Sequence, residues 1–268
     1  MSSSPPGKED FVIALARGLE VIQAFDADHP EMTLSEVAEA TGLSPAVARR
    51  FLRTLVHLGF AAHEKKRFML RPRILELGAA YLASMNLTEV AQPHLQQLRD
   101  TTGDSASLTV LDGPDIIHIS HVSTQRLMRF FVTSGTRIPA YVSSTGRVLL
   151  AHLTPAALDE YFATAELTRR TEHTVLTEAD LRTELATIRE TGHAVVVDEL
   201  DYGMTSIGVP VFDARGVVVA GVGCLAPTGY AAAVDLAAER LPALREAAAE
   251  ITRELRRFPF LAKSITNN

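Results

Sequence analysis

The stretch TLSEVAEATGLSPAVARRFLRTLVHLGF, residues 33–60, decides how the N-terminal quarter of this chain folds. Thr33 followed three residues later by Glu36 has capping-box spacing, in which the hydroxyl accepts a backbone N–H and the carboxylate reaches back to the cap. A helix therefore starts near Leu34, turns Val37 and Ala38 inward, and ends at Gly42, whose missing Cβ permits a left-handed turn. Ser44 and Pro45 supply an N-cap and a first-turn proline, so another helix follows almost at once. Along it Ala48, Phe51, Leu52 and Leu55 form the inward stripe. That leaves Ala46, Arg49, Arg50 and Arg53 outside, with three arginines expected on one exposed side.

Upstream, Val12, Leu15, Leu19, Ile22 and Phe25 recur at spacings of three and four, the stripe of an amphipathic first helix. Downstream of Leu58 and Gly59, two short β-like runs surround His63, Glu64, Lys65, Lys66 and Arg67, which reads as a basic hairpin wing. The ensemble is a winged helix-turn-helix. Small residues at the start of its third helix allow approach to the major groove, and arginine can pair bidentately with guanine or bridge to phosphate. The residues expected on DNA are Ser44, Ala46, Arg49, Arg50, Arg53, Lys65, Lys66 and Arg67.

A net charge of -6 over 268 residues conceals a polarity that supports this reading. Residues 1–43 carry two basic and eight acidic side chains, whereas residues 44–73 carry eight basic and one acidic. The remainder is again acidic. A cationic block in an anionic protein suits contact with phosphates, although a solvated basic face would look the same by charge alone.

At 268 residues, 47% hydrophobic and 22% charged, the chain is an ordinary globular sequence long enough for two domains. Its apolar runs are too short for a membrane span, residues 1–10 lack the apolar core of a secretion signal, and Cys224 has no partner for a disulfide. A cytoplasmic protein without membrane association is expected.

Beyond residue 73, apolar positions Ile74, Leu77, Gly78, Tyr81, Leu82 and Met85 predict a linker helix over 73–91. Strands are expected over 105–111 and 115–122, joined by an Asp112-Gly113-Pro114 turn, and over 127–133, 194–197, 206–212 and 217–225. Helices are expected over 145–152, 155–163, 178–191, with Thr177 and Asp180 in capping-box relation, and 232–257. This order implies an α+β fold with a mainly antiparallel sheet. Within it Ser143, Ser144, Thr145 and Gly146 gather hydroxyls and backbone N–H groups at a helix N-terminus, where dipole and donors favour an anion such as a carboxylate, or where they simply cap the helix.

LARGLEVIQAF (15–25), the 33–60 segment and FMLRPRILELGAAYL (68–82) together resemble the DNA-binding part and linker helix of the IclR family of bacterial regulators. The resemblance continues through GTRIPAYVSSTGRVLLA (135–151) and GMTSIGVPVFD (203–213), which are most similar to the branch controlling aromatic-acid catabolism through the β-ketoadipate pathway. It implies a GAF-like effector-binding domain, an effector pocket to which the Ser143–Thr145 loop and Ser206 contribute, and family positions at Glu199 and Asp213. Two positions depart from that pattern. Val196 stands where an acid is common, pointing to a more apolar ligand, and Thr205 stands where an arginine is common.

Other patterns carry no chemistry. GVGCLA, with Gly221 and Gly223, mimics a dinucleotide fingerprint, but Pro227 and Gly229 follow where a helix should open. His118 and His121, three apart on a strand, are expected on opposite faces and so form no metal pair. No nucleophile elbow or zinc-helix motif occurs, and Cys224 reads as an inert thiol in an apolar strand. No catalytic residue, metal site or cofactor is expected.

The sequence thus predicts a tail (1–10), a winged helix-turn-helix (11–72), a linker helix (73–91), an effector-binding domain (92–260) and a second tail (261–268). The function expected is a ligand-responsive DNA-binding regulator, a homodimer or homotetramer, acting on double-stranded operator DNA. Its effector would be a small organic acid, aromatic or derived from aromatic breakdown, with Arg129, Arg137 or Arg147 completing the charge balance and valines 195–197 and residues 207–211 enclosing the rest. An enzyme turning over such an acid, or a protein-interaction adaptor, are the alternatives at this point.

Overall fold

The computed structural model describes residues 11–26, 28–77, 87–124, 132–228 and 233–258. The chain divides into two compact units between Ala83 and Ser84. Both expected tails, residues 78–86 of the expected linker helix, Arg129 and most of the expected 127–133 strand lie outside the described residues.

In the first unit, α1 (Ile13–Gln23) is followed by β1 (Glu31–Thr33), α2 (Leu34–Thr41), α3 (Pro45–His57) and the hairpin β2 (Ala61–Glu64) and β3 (Arg67–Leu70). The punctuation works as the residue types dictate. Thr33 Oγ1 accepts from Glu36 N at 3.3 Å while Thr33 N donates to Glu36 Oε2 at 2.7 Å, and Gly42 closes α2 at φ +64°. Ser44 caps α3 by accepting from Val47 N. Strand β1 adds itself antiparallel to β3, giving a three-stranded sheet in the order β1-β3-β2 that the sequence pattern did not reveal. Val21, Val37, Ala48, Leu52, Leu55 and Phe68 form the core.

Helix α1 corrects the expected stripe. Val12, Leu15 and Leu19 are exposed, and the inward face runs through Gly18, Val21, Ile22 and Phe25. Gly18 carries no apolar signal, yet its bare backbone is what the Phe51 ring packs against. Ile22 and Phe25 of the expected stripe do turn inward, but with apolar residues on both sides of the helix, spacing alone added Val12, Leu15 and Leu19 to them.

In the second unit, α4 (Leu87–Thr102) precedes β4 (Ser105–Asp112) and β5 (Asp115–Val122), then β6 (Arg137–Pro139), α5 (Ser144–Ala151), α6 (Pro155–Thr164) and α7 (Glu178–Thr191). Strands β7 (Ala194–Val197), β8 (Met204–Phe212) and β9 (Val218–Pro227) and the long α8 (Ala233–Arg257) complete it. The six strands pair antiparallel in the order β6-β5-β4-β9-β8-β7, which establishes the α+β class. Helix α4 runs past the expected end of the linker at residue 91 and contains Pro93. Val132 and Thr133 are not strand, and the short strand lies at Arg137–Pro139 instead.

One sheet face, through Leu108, Ile119, Ile207, Val209 and Val222, buries against Leu95 and Leu98 of α4 and Leu244 and Ile251 of α8. On the other face α5 lies almost flat on the strands. Gly208, Gly221 and Gly223 make that possible, because a Cβ at Gly208 would meet the Ser144–Thr145 backbone, and one at Gly221 or Gly223 would meet the Thr145 side chain. The glycines that mimic a nucleotide fingerprint are therefore seats for a helix.

Candidate functional site

The first candidate surface is α3 with its wing. Ala46, Arg49, Arg50 and Arg53 are all exposed, as expected for a face that meets a solvated partner. Arg49 and Arg53, one helical turn apart, line a groove with Ser35, His57, His63 and Lys66, whereas Arg50 lines a neighbouring groove with Ile13, Arg17 and Phe51 of α1 and α3. At about 100° of rotation per residue, Arg50 lies about 60° around the helix from Arg53. At the wing tip Lys65 and Lys66 occupy φ +45° and +74°, the left-handed region both residues of a tight primed hairpin turn require. Across the strands below, His63 stacks on Phe68 with ring centroids 4.2 Å apart. Arg67 is engaged inside the unit, donating to Glu31 O at 3.1 Å and lying 3.8 and 3.6 Å from the Glu31 and Glu36 carboxylates.

The second candidate is a partly enclosed cavity of about 90 Å³ between the sheet and the α5 end of the second unit. Val132, Ile138, Val142, Val196, Leu200, Met204 and Leu225 supply apolar walls. Ser143, Ser144 and Thr145 line it where α5 begins, and Ser206 lines it from β8. Gly146 does not line it; a Cβ there would collide with the Ala140 backbone, so this glycine lets the turn before α5 close. Val196 faces the cavity as the departure from the family pattern suggested, but Ile207, Val209 and Val211 point to the α4 and α8 side, corrected by simple strand alternation.

Of the three arginines expected to balance a ligand's charge, the two within the described residues are both engaged elsewhere. Arg137 sits at the outside edge, paired with Asp112 at 2.6 Å and Asp115 at 3.2 Å. Arg147 does turn inward and is only 2% exposed, yet every arm is occupied. Its Nε donates to Tyr141 O at 2.7 Å, and its terminal nitrogens reach Glu184 at 2.6 Å and Glu199 at 2.5 Å. Glu199 also accepts from Val175 N. This knot ties α5 to α7 and to the segment after β7, and it leaves Glu199, which also lines the cavity, with its carboxylate already paired.

Two residues that strict alternation dismissed do line the cavity. Pairing shifts register between Leu108 and Thr109, so that Thr109 faces His118 while Leu108 faces Ser120. The bulge inserts one residue into β5 and brings His118 and His121 to the same face, their rings 6.3 Å apart and edge-on. His121 Nδ1 lies 2.8 Å from Ser107 Oγ, whereas His121 Nε2 and both His118 ring nitrogens are buried without a partner. Burial, with a smaller contribution from His121, lowers the His118 pKa to about 4, and burial lowers that of His121 as well. Both rings are therefore neutral near pH 7. Cys224 is buried and its thiol is pushed up to about 12 by desolvation, which keeps it unreactive. No group of three or more metal-ligating side chains occurs among the described residues.

Residues 79–253 match the family described as bacterial transcriptional regulator IclR C-terminal, and residues 14–65 match the IclR helix-turn-helix domain. The chain belongs to the IclR family. The Pca regulon regulatory protein of Pseudomonas putida is 36% identical over 250 residues, covering 93% of this chain and 86% of that protein. The p-hydroxybenzoate hydroxylase transcriptional activator of Acinetobacter baylyi is 32% identical over 255 residues, covering 93% and 94%. Among solved structures, an IclR homolog from Microbacterium hydrocarbonoxydans complexed with 4-hydroxybenzoate superposes with a TM-score of 0.80 at 26% identity, covering 91% of this chain and 99% of that one. This IclR-family protein is a DNA-binding transcriptional regulator and not an enzyme, which removes the catalytic alternative. No helix among its described residues is long and apolar enough to cross a membrane.

Proposed function

We propose that this protein is a cytoplasmic, ligand-responsive regulator of genes for aromatic-acid catabolism, whose effector is a small aromatic acid held in the cavity beside α5. The observation that carries the reading is the cavity itself: mainly apolar walls, with hydroxyl and helix-terminus donors of Ser143, Ser144, Thr145 and Ser206 lining one end, where a carboxylate could be held by charge-assisted hydrogen bonds. The relatives named for p-hydroxybenzoate and Pca regulation support the same class of ligand.

DNA contact is assigned to α3 and the wing tip, through Ser44, Ala46, Arg49, Arg50 and Arg53 with Lys65 and Lys66. Arg67, balanced by Glu31 and Glu36, contributes least. Palindromic readout requires two winged helices, so the active species is a homodimer or a homotetramer. Of its expected seam, residues 74–85, only the first few are described, and Leu75 and Leu77 among them are exposed.

The test is calorimetry of the full chain against aromatic and aliphatic acids, followed by operator binding with and without the best ligand. An effector must bind two conformations unequally to act, so it should change operator affinity as well as bind. Binding of aliphatic acids in preference to aromatic ones, or binding without effect on the operator, sinks the proposal. A monomer by light scattering in the presence of operator sinks the oligomer assignment.

A further inference from the structure

An organic anion entering the cavity beside α5 meets hydrogen-bond donors but no positive charge. Among the described residues no lysine or arginine lines the cavity. Its one acidic wall residue, Glu199, belongs to the Arg147 knot, in which a single guanidinium serves two carboxylates. A buried carboxylate without a counter-charge is costly, so such a ligand calls for a cation that the ligand-free site does not display.

We propose that His121 is that cation: it takes up one proton when an anionic ligand binds, so that effector and proton enter the cavity together. This rests on the aromatic-acid reading above for the ligand's negative charge and for its place in the cavity.

The geometry selects His121 rather than its neighbour. An imidazolium carries two N–H donors, and each needs an acceptor when buried. His121 Nδ1 lies 2.8 Å from Ser107 Oγ, a hydroxyl able to accept. Its Nε2 is buried without a partner among the described residues, which leaves that N–H for the ligand. His118 has a partner at neither nitrogen, so a proton added there would leave a second N–H unsatisfied. It stays neutral and offers the ligand one N–H. Burial holds the ligand-free His121 below its ordinary value and His118 further down, at about 4, so neither ring is charged near pH 7 until an anion arrives. An opposite charge within about 4 to 6 Å favours the protonated ring.

Among the described residues no other group beside the ring can take this role. On β9 Cys224 is a neutral thiol, on β4 Ser107 and Thr109 carry no titrating group, and α5 lines the cavity with the hydroxyls of Ser144 and Thr145. At the outer end of β5, Asp115 is paired with Arg137. Helix α4, packed on β5, meets Ser120 with the uncharged Gln92.

The experiment is calorimetry of the full chain with benzoate and 4-hydroxybenzoate from pH 8 to pH 5.5, with proton uptake measured at pH 6.5 in two buffers of unlike ionisation enthalpy. A ring whose pKa is higher in the complex than in the ligand-free protein gives an affinity that is level at high pH, climbs as pH falls through the pKa of the complex, and levels again below the ligand-free pKa. In the parent the climb should be about tenfold, with up to one proton taken up per ligand. His121→Gln, which keeps a donor and an acceptor but takes no proton, should flatten it while affinity at pH 8 changes little. His118→Gln should keep the climb, and Ser107→Ala, which strands the Nδ1 N–H, should make it shallower. Ring-proton NMR of the parent gives a readout that needs no variant to fold: the His121 pKa must rise when ligand is added. A pH-independent affinity in the parent, a His121 pKa unmoved by ligand, or a climb that survives in His121→Gln overturns the proposal. In each of these cases the aromatic-acid reading still stands. Binding of neither acid at any pH overturns that reading and this one with it.

Discussion

Two serine-capped helices border the two candidate sites of this protein, and they differ in what surrounds their arginines. Helix α3, capped by Ser44, holds Arg49, Arg50 and Arg53 out in water. Helix α5, capped by Ser143, is buried along its whole length, and its one arginine is enclosed by two glutamates and a carbonyl. The contrast follows from the partners. A duplex brings its own dense charge and exchanges counterions for cations as the protein docks, so the reading helix can keep its arginines hydrated until then. A small acid entering a cavity finds groups already desolvated, so buried charge nearby must be neutralised in advance.

The comparison breaks most easily at Arg147. Its replacement by alanine leaves the buried Glu199 carboxylate without its cation and should destabilise the second unit by about 3 to 5 kcal/mol, read by urea denaturation. Alanine at any of the α3 arginines should leave that unfolding transition where it was. If Arg147→Ala unfolds at the parental midpoint, the knot is decoration and the contrast fails.

His118 gives the next largest effect, through pH. Because burial lowers its folded pKa to about 4 from an ordinary 6.5, the unfolded chain takes up a proton that the folded chain refuses between those values. Its contribution is therefore at its most favourable above pH 6.5, declines as pH falls through the window, and levels off below about 4. Relative to His118→Leu, the ligand-free parent should lose on the order of 3 kcal/mol from pH 7 to pH 4. Parallel stability curves for the two proteins would show that His118 is protonated in the fold, contrary to its burial.

On the α3 side the effect is smaller per residue and appears in binding. Arg49→Ala or Arg53→Ala should each weaken operator binding by roughly 1 to 3 kcal/mol if the side chain reads a base, with melting unchanged. Since Arg50 lines the groove beside α1 and not the one beside the wing, its replacement should shift the salt dependence more than the sequence preference. Equal loss of specificity at all three positions would show that Arg50 reads bases alongside the other two.

How much of this was legible in the sequence depends on how local the determining signal is. Thr33, Glu36, Gly42, Ser44 and Pro45 act within four residues of themselves, and the helices they start and stop appear where expected. The 178–191 helix, bounded by Thr177 and Gly192, is legible for the same reason. The cavity is not local. Its histidine wall depends on a bulge created by the register against β4, its helix seat depends on glycines far along the chain in β8 and β9, and the fate of Arg147 depends on Glu184 and Glu199. Strand β1 and the Gly18 part of the inward face of α1 were missed for a related reason: three residues are too few to show alternation, and glycine has no hydropathy to register.

The smallest expected effect concerns the wing tip, where α3's side of the comparison meets backbone strain. Lys65 and Lys66 both occupy left-handed backbone, which costs an L-residue with a Cβ roughly 1 kcal/mol and which Asn-Gly adopts readily. Lys66 lines the groove with Arg49 and Arg53. Cationic side chains are thus kept at a position where the backbone prefers other residues, as expected when strain is retained for binding a partner. Exchanging the pair for Asn-Gly should raise the stability of the first unit by up to about 1 kcal/mol. The same exchange should weaken DNA binding and reduce the slope of log affinity against log salt by about 2, one for each phosphate that is no longer neutralised. Stability measured by thermal melting and affinity measured over a salt series must move in opposite directions. If the Asn-Gly protein is more stable and binds DNA with an unchanged salt slope, the wing lysines touch no phosphate, and the cationic surface ends at α3.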